Sequence, residues 1–122
     1  MILLKLNDTL RYFAAVINKA TPRAWHYRKP EREVFPYAIW TEYSEEGSLH
    51  ANNAKKVQPL MIVLDYFTQE EFDPEIDKIQ NTLNEADRIA FDLTDILYEE
   101  ETNVIHYSWE VQVYGEGCNS RL

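Results

Sequence analysis

Leu60-Met61-Ile62-Val63-Leu64-Asp65-Tyr66-Phe67 is the longest apolar run in the chain. It is too short to cross a bilayer. Its branched and aromatic residues suit a pleated surface. Pro59 stands just before it, and an acidic segment with a second proline, Asp73-Pro74, follows. A short apolar run between turn signals reads as a strand buried on both faces, hence the middle of a sheet. Asp65 interrupts the run. It is either an acid buried by design or one placed at the strand end, where the sheet opens to water. The second is the expectation.

The neighbouring segments can be arranged around this strand, predicted over 58–68. Downstream, Asp73 is a plausible N-cap, Pro74 fits the first helical position, and Glu75 and Asp77 suit the positive end of a helix dipole. Ile76, Ile79, Leu83 and Ala86 form the core stripe of that helix, which ends near 85–87. A strand is predicted over 88–98. Its apolar parity shifts from Ile89, Phe91 and Leu93 to Ile96 and Tyr98, which points to a bulge near Asp95. In the last strand Ile105, Tyr107, Trp109, Val111 and Val113 alternate with His106, Ser108, Glu110 and Gln112, marking one dry and one wet face.

Upstream, Leu3, Leu6, Leu10, Phe13, Ala14 and Ile17 recur at helical spacing and predict an amphipathic helix over 2–19, ended by Thr21-Pro22. A short strand is predicted over 23–29 and a stronger one over 33–43, with Pro36 at its start or on an edge. In the latter, Phe35, Tyr37, Ile39, Thr41 and Tyr43 share one face, and Val34, Ala38 and Trp40 the other. The order α-β-β-β-α-β-β predicts an α+β domain: two helices on one face of a mainly antiparallel, roughly five-stranded sheet. The helix after the third strand could serve as a crossover, making one strand pair parallel. Residues 1–114 are read as a single domain, with 115–122 as a flexible C-terminal tail.

The segment 44–58 is polar and poor in large apolar residues. Long connections of this kind are often functional. Ser44, Glu45, Glu46, His50, Asn52, Asn53, Lys55 and Lys56 therefore belong to a disordered or partner-ordered segment, against the alternative of a plain long hairpin connection, and the resemblance given below makes them the candidate assembly loop.

Composition narrows the function. An apolar content of 45% over 122 residues excludes disorder. A net charge of −9 argues against capture of nucleic acid by general electrostatics, so no sequence-specific nucleic-acid binding is expected. The charge is uneven: residues 1–33 hold seven Lys/Arg against three acids, and residues 34–122 hold five against eighteen. In a ring, one subunit's basic part could meet its neighbour's acidic part; chance and a solvated surface account for the asymmetry equally well. Cys118, the one cysteine, fits a reducing compartment. The first residues fail as a signal peptide because Asn7, Asp8 and Arg11 interrupt them, and no transmembrane segment is present, so secretion and membrane insertion are not expected.

No catalytic, cofactor-binding or metal residue is assigned. His26, His50 and His106 lack the close pairing of a zinc site. His106 reads as a surface imidazole near Glu110. The acids Glu70, Glu71, Asp73, Glu75 and Asp77 match no calcium loop and are better explained by capping. Glycine-rich phosphate loops, a nucleophile elbow and a Cys-His pair are missing from the sequence. An enzyme using Asp65, His106 or the acidic segment is the least favoured reading.

A wider pattern resembles a known group. It comprises Glu33-Val34-Phe35-Pro36-Tyr37-Ala38-Ile39-Trp40, the polar loop with Asn52-Asn53, Leu64-Asp65-Tyr66-Phe67-Thr68, the Asp-Pro helix with Ile76, Ile79 and Leu83, and the stretch from Tyr98 to Glu110. This order, over about 23–114, resembles the tail terminator and related head–tail joining proteins of long-tailed phages and prophages. The resemblance implies a non-enzymatic virion assembly protein without cofactor, in the virion or the host cytoplasm during assembly. It further implies a homo-oligomeric, hexameric ring that caps the tail tube and meets tail-tube and head-connector proteins. The alternatives are a head-completion or neck protein, or an unrelated small protein-binding module.

Overall fold

The computed structural model describes residues 6–32, 34–43 and 59–115. The elements run α1 (Leu6–Ala20), β1 (Ala24–His26), β2 (Tyr37–Tyr43), β3 (Leu60–Thr68), α2 (Pro74–Glu85), β4 (Ile89–Glu99) and β5 (Val104–Val113). They form an α+β fold with one five-stranded sheet in the order β1-β2-β3-β5-β4. β3 is its central strand, as the sequence implied.

Alternation along each strand divides the sheet into two faces. Cross-strand rows on one face are Ala38–Tyr66–Tyr107–Ile96, Trp40–Leu64–Trp109–Leu93 and Glu42–Ile62–Val111–Phe91. Phe13, Val16, Ile17 and Ala20 from α1, with Ile79 and Leu83 from α2, join these rows in one buried cluster. The odd-numbered residues of β3 lie on the face without helices, and Val63 there is 36% exposed. The expectation of a strand buried on both faces is thus corrected: the apolar run includes residues on both sides, but helices cover only one.

Local chemistry accounts for the element ends. Thr21 N–H still donates to Ile17 O at 2.9 Å, and Pro22 then stops α1 because it lacks a donor and disfavours helical geometry before it. Thr9, Val16 and Ala20 belong to the buried face of α1, whereas the predicted stripe residue Leu6 is half exposed; Leu3 lies outside the described residues. Asp73 caps α2: its Oδ1 accepts from Glu75 N–H at 2.9 Å, with Pro74 at the first helical position. The other carboxylate oxygen of Asp73 accepts the Tyr66 hydroxyl at 2.8 Å. Burial, then this carboxylate, pushes the Tyr66 phenol well above the usual tyrosine range.

β1 is shorter than predicted, and Pro36, joined to Phe35 by a cis peptide, precedes β2 rather than lying inside it. The bulge in β4 occurs where the parity shift placed it, between Leu93 and Asp95. α2 carries the chain from β3 past β5 to the far side, and β4 pairs antiparallel with β5. The parallel pair is instead β1–β2.

Candidate functional site

The face without helices carries rows of contrasting chemistry. Tyr37–Phe67–His106–Leu97 crosses four strands. Tyr37 and Phe67 stack at 4.9 Å, and Phe67 and His106 at 4.3 Å, while Phe35 extends the stack from Tyr37 at 5.5 Å. These rings wall a hollow of about 590 Å³ that Lys29, Leu97 and Tyr98 also line. The next row, Ile39–Asp65–Ser108–Asp95, is polar at its centre.

Asp65 Oδ1 lies 2.8 Å from His106 Nε2 and accepts the Ser108 hydroxyl at 2.5 Å. Both sequence expectations for these residues are corrected. Asp65 lies within β3 and not at its end, and the partner of His106 is Asp65, whereas Glu110 accepts the Tyr43 hydroxyl at 2.8 Å. The error has a simple cause: strand order decides which residues face each other, and β5 lies beside β3.

An Asp, His and Ser in contact invite comparison with a hydrolytic triad, and the geometry argues otherwise. In a triad the imidazole stands between the other two, using opposite ring nitrogens. Here Nε2 faces both Asp65 and Ser108, the latter at 3.3 Å. A carboxylate only accepts, so Nε2–H and the Ser108 hydroxyl both donate to Asp65. The serine proton therefore points at the acid, and Nε2 has no lone pair to receive it. The arrangement ties β3 to β5 without activating a nucleophile.

A second cluster joins β1 to β2 on the helix side. His26 is stacked between Tyr27 at 3.7 Å and Trp40 at 3.8 Å. Its Nε2 lies 2.7 Å from Glu42 Oε1, and the Tyr27 hydroxyl donates to the other oxygen of Glu42. Burial raises the Glu42 pKa, but the hydrogen bonds from Tyr27 and His26 together outweigh it and hold the carboxyl below its ordinary value of 4.5. A folded-state pKa below the unfolded one contributes stability above the unfolded value that is lost as pH falls through the folded one. Wild-type stability should therefore decline below about pH 4.5 in a limb that Glu42→Gln flattens, read by urea unfolding at several pH values. Identical acid limbs would contradict this role for Glu42.

The edge strand β4 is the other unusual surface. Beyond the bulge its apolar side chains emerge on both sides of the sheet: Ile96 is 56% exposed, Leu97 58% and Tyr98 58%. The proposed loop residues Ser44, Glu45, Glu46, His50, Asn52, Asn53, Lys55 and Lys56 lie outside the described residues, so the structure neither joins nor separates them. Neither the aromatic row nor the exposed half of β4 is legible in the sequence as a site. The parity shift was the available signal for β4, since it showed both halves to be apolar. Among the described residues, no group of three or more His, Cys, Asp or Glu could hold a metal ion, and no helix is long and apolar enough to cross a membrane.

No protein-family model matches the chain, and no curated protein matches it. Among solved structures, the periplasmic domain of the type IV pilus biogenesis protein PilN from Thermus thermophilus is similar over 90% of this chain and 95% of that one, with 17% identity and a TM-score of 0.44. A protein from Akkermansia muciniphila is similar over 88% of this chain, which spans about half of that chain (51%), with 14% identity and a TM-score of 0.45. Both likenesses are too distant to carry a role to this chain.

Proposed function

We propose that this chain is a non-catalytic assembly subunit that works by associating with copies of itself and with other proteins. The observation that carries this reading is the outer half of β4. Ile96, Leu97 and Tyr98 are more than half exposed on a strand that pairs with β5 on one side and has a free edge on the other. Natural edge strands are usually short, charged or covered; β4 carries exposed acids, yet it is long and leaves this apolar stretch uncovered, which invites another chain. The arrangement of Asp65, His106 and Ser108 supports a structural role for the polar groups of the open face.

Within this class, the sequence resemblance favours a tail terminator ring subunit, hexameric, that caps a phage tail tube and meets the head connector. A head-completion or neck protein shares the same physical requirements. The aromatic hollow beside His106 favours, as a second reading, a module that receives a side chain of a different protein.

Sedimentation velocity over a wide concentration range tests the proposal. The expected result is a mass well above that of the monomer at high concentration, with Leu97→Glu weakening association by about tenfold or more, as for removal of an interface anchor. A strictly monomeric wild type that also fails to bind tail-tube or connector protein would exclude it.

A further inference from the structure

The sheet has two free edges of opposite character. β1 forms one, followed by the exposed Arg28 and Arg32, with a single acid, Glu31, between them and with Trp25 and Tyr27 exposed nearby, while Lys29 turns to the hollow on the helix-free face. β4 forms the other. Every residue from Asp92 to Glu100 is exposed, including the acids Asp92, Asp95, Glu99 and Glu100, and residues 89–113 contain no lysine or arginine.

Strand direction makes these edges compatible. β1 and β2 run the same way, β3 opposes them, β5 runs with β2, and β4 opposes β5. A second copy set beside β4 in the same orientation therefore presents its β1 antiparallel to β4. Without stagger, the cross-strand rows place Ala24 of the neighbouring copy level with Ile96, and His26 level with Leu93. Antiparallel pairing sets the C-terminal end of β1, where Arg28 follows, towards Asp92. In this register the exposed Trp25 comes level with Asp95, beside Ile96.

Pairing β4 with β4 of another copy would instead set Asp92, Asp95 and Glu99 against the same acids. Like charges placed opposite one another across strands are destabilising. The acidic edge thus repels its own kind and admits a basic one, a form of partner selection by repulsion. From this geometry we infer that copies join head to tail, β1 of one subunit adding to β4 of the next so that the sheet continues across the boundary. A heterologous contact of this kind repeats, giving a ring if the rotation closes and a filament if it does not. The inference rests on the assembly reading above and names its contact.

Charge reversal in the full chain tests it. Arg28→Glu with Arg32→Glu gives a variant with two acidic edges. Asp92→Lys with Asp95→Lys gives one with two basic edges. Far-UV circular dichroism establishes that each folds. Each alone is expected to assemble roughly tenfold or more weakly than wild type, because every junction then opposes like charges. Mixed in equal amounts they are expected to regain the wild-type mass, since alternating the two makes every junction complementary again. If wild type assembles and neither variant changes its mass, or if only the β4 variant does, the edge assignment is wrong while the assembly reading stands. If the two weaken assembly but the mixture does not recover, the β1–β4 pairing is likewise wrong. A monomeric wild type removes both.

Discussion

Leu64→Asp is expected to leave no cooperatively folded domain, whereas Val63→Thr, one residue away, should cost less than about 1 kcal/mol. Leu64 is fully buried between Trp40 and Trp109 on the helix side of β3. A carboxylate there would lose its water and gain no designed partner, at a cost of several kcal/mol on top of the lost packing. Domains of this size have only about 5–15 kcal/mol to lose. Val63 lies across from Thr41 and Glu110 on the helix-free face, where a hydroxyl can meet water. Urea unfolding followed by circular dichroism separates the cases. A cooperative, native-like transition for Leu64→Asp would show that β3 is not the centre of the core.

The second large effect concerns Asp73. Its two oxygens hold different parts of the fold, one the first turn of α2 and the other the buried hydroxyl of Tyr66. Asp73→Ala should destabilise by roughly 2–4 kcal/mol, combining a lost helix cap with a buried hydroxyl deprived of its main acceptor. Glu75 Oε2, at 3.3 Å from the Tyr66 hydroxyl, recovers part of that loss. Asp73→Asn keeps a cap and an acceptor, so it should cost much less. Adding Tyr66→Phe to Asp73→Ala should recover part of the loss, because no hydroxyl is then left behind. A double-mutant cycle reads this coupling directly. Additive costs would mean that the Tyr66–Asp73 bond contributes nothing to stability.

Both predictions concern features legible in the sequence to different degrees. The Asp73-Pro74 start of α2, the bulge near Asp95 and the alternation of β5 all have local chemical signatures, and the structure has each of them. Strand order has no such signature. Which residues meet across β3 and β5 depends on the long excursion through α2 and β4, and for that reason the Asp65–His106–Ser108 contact has no local trace in the sequence. Periodicity in α1 found a helix but misplaced part of its buried face: Thr9 and Ala20 are buried although neither is strongly apolar. The apolar run in β3 looked buried on both sides because sequence hydropathy does not distinguish a covered face from one left open. The aromatic row was hidden for the same reason, since its members come from β2, β3 and β5, with Leu97 from β4.

A sheet clothed on one side has a thermal consequence. Folded domains typically gain about 12–15 cal/mol/K per residue in heat capacity on unfolding, chiefly from apolar surface that becomes hydrated. Where Leu97, Val63 and much of the β4 edge are already wetted in the folded chain, that increment shrinks. The stability curve of the separate subunit is then flatter with temperature than its length implies. Under the proposed assembly the missing increment would reappear when the surface is covered, as a negative heat-capacity change of association. The domain's thermal response is in this sense divided between its folding and its company.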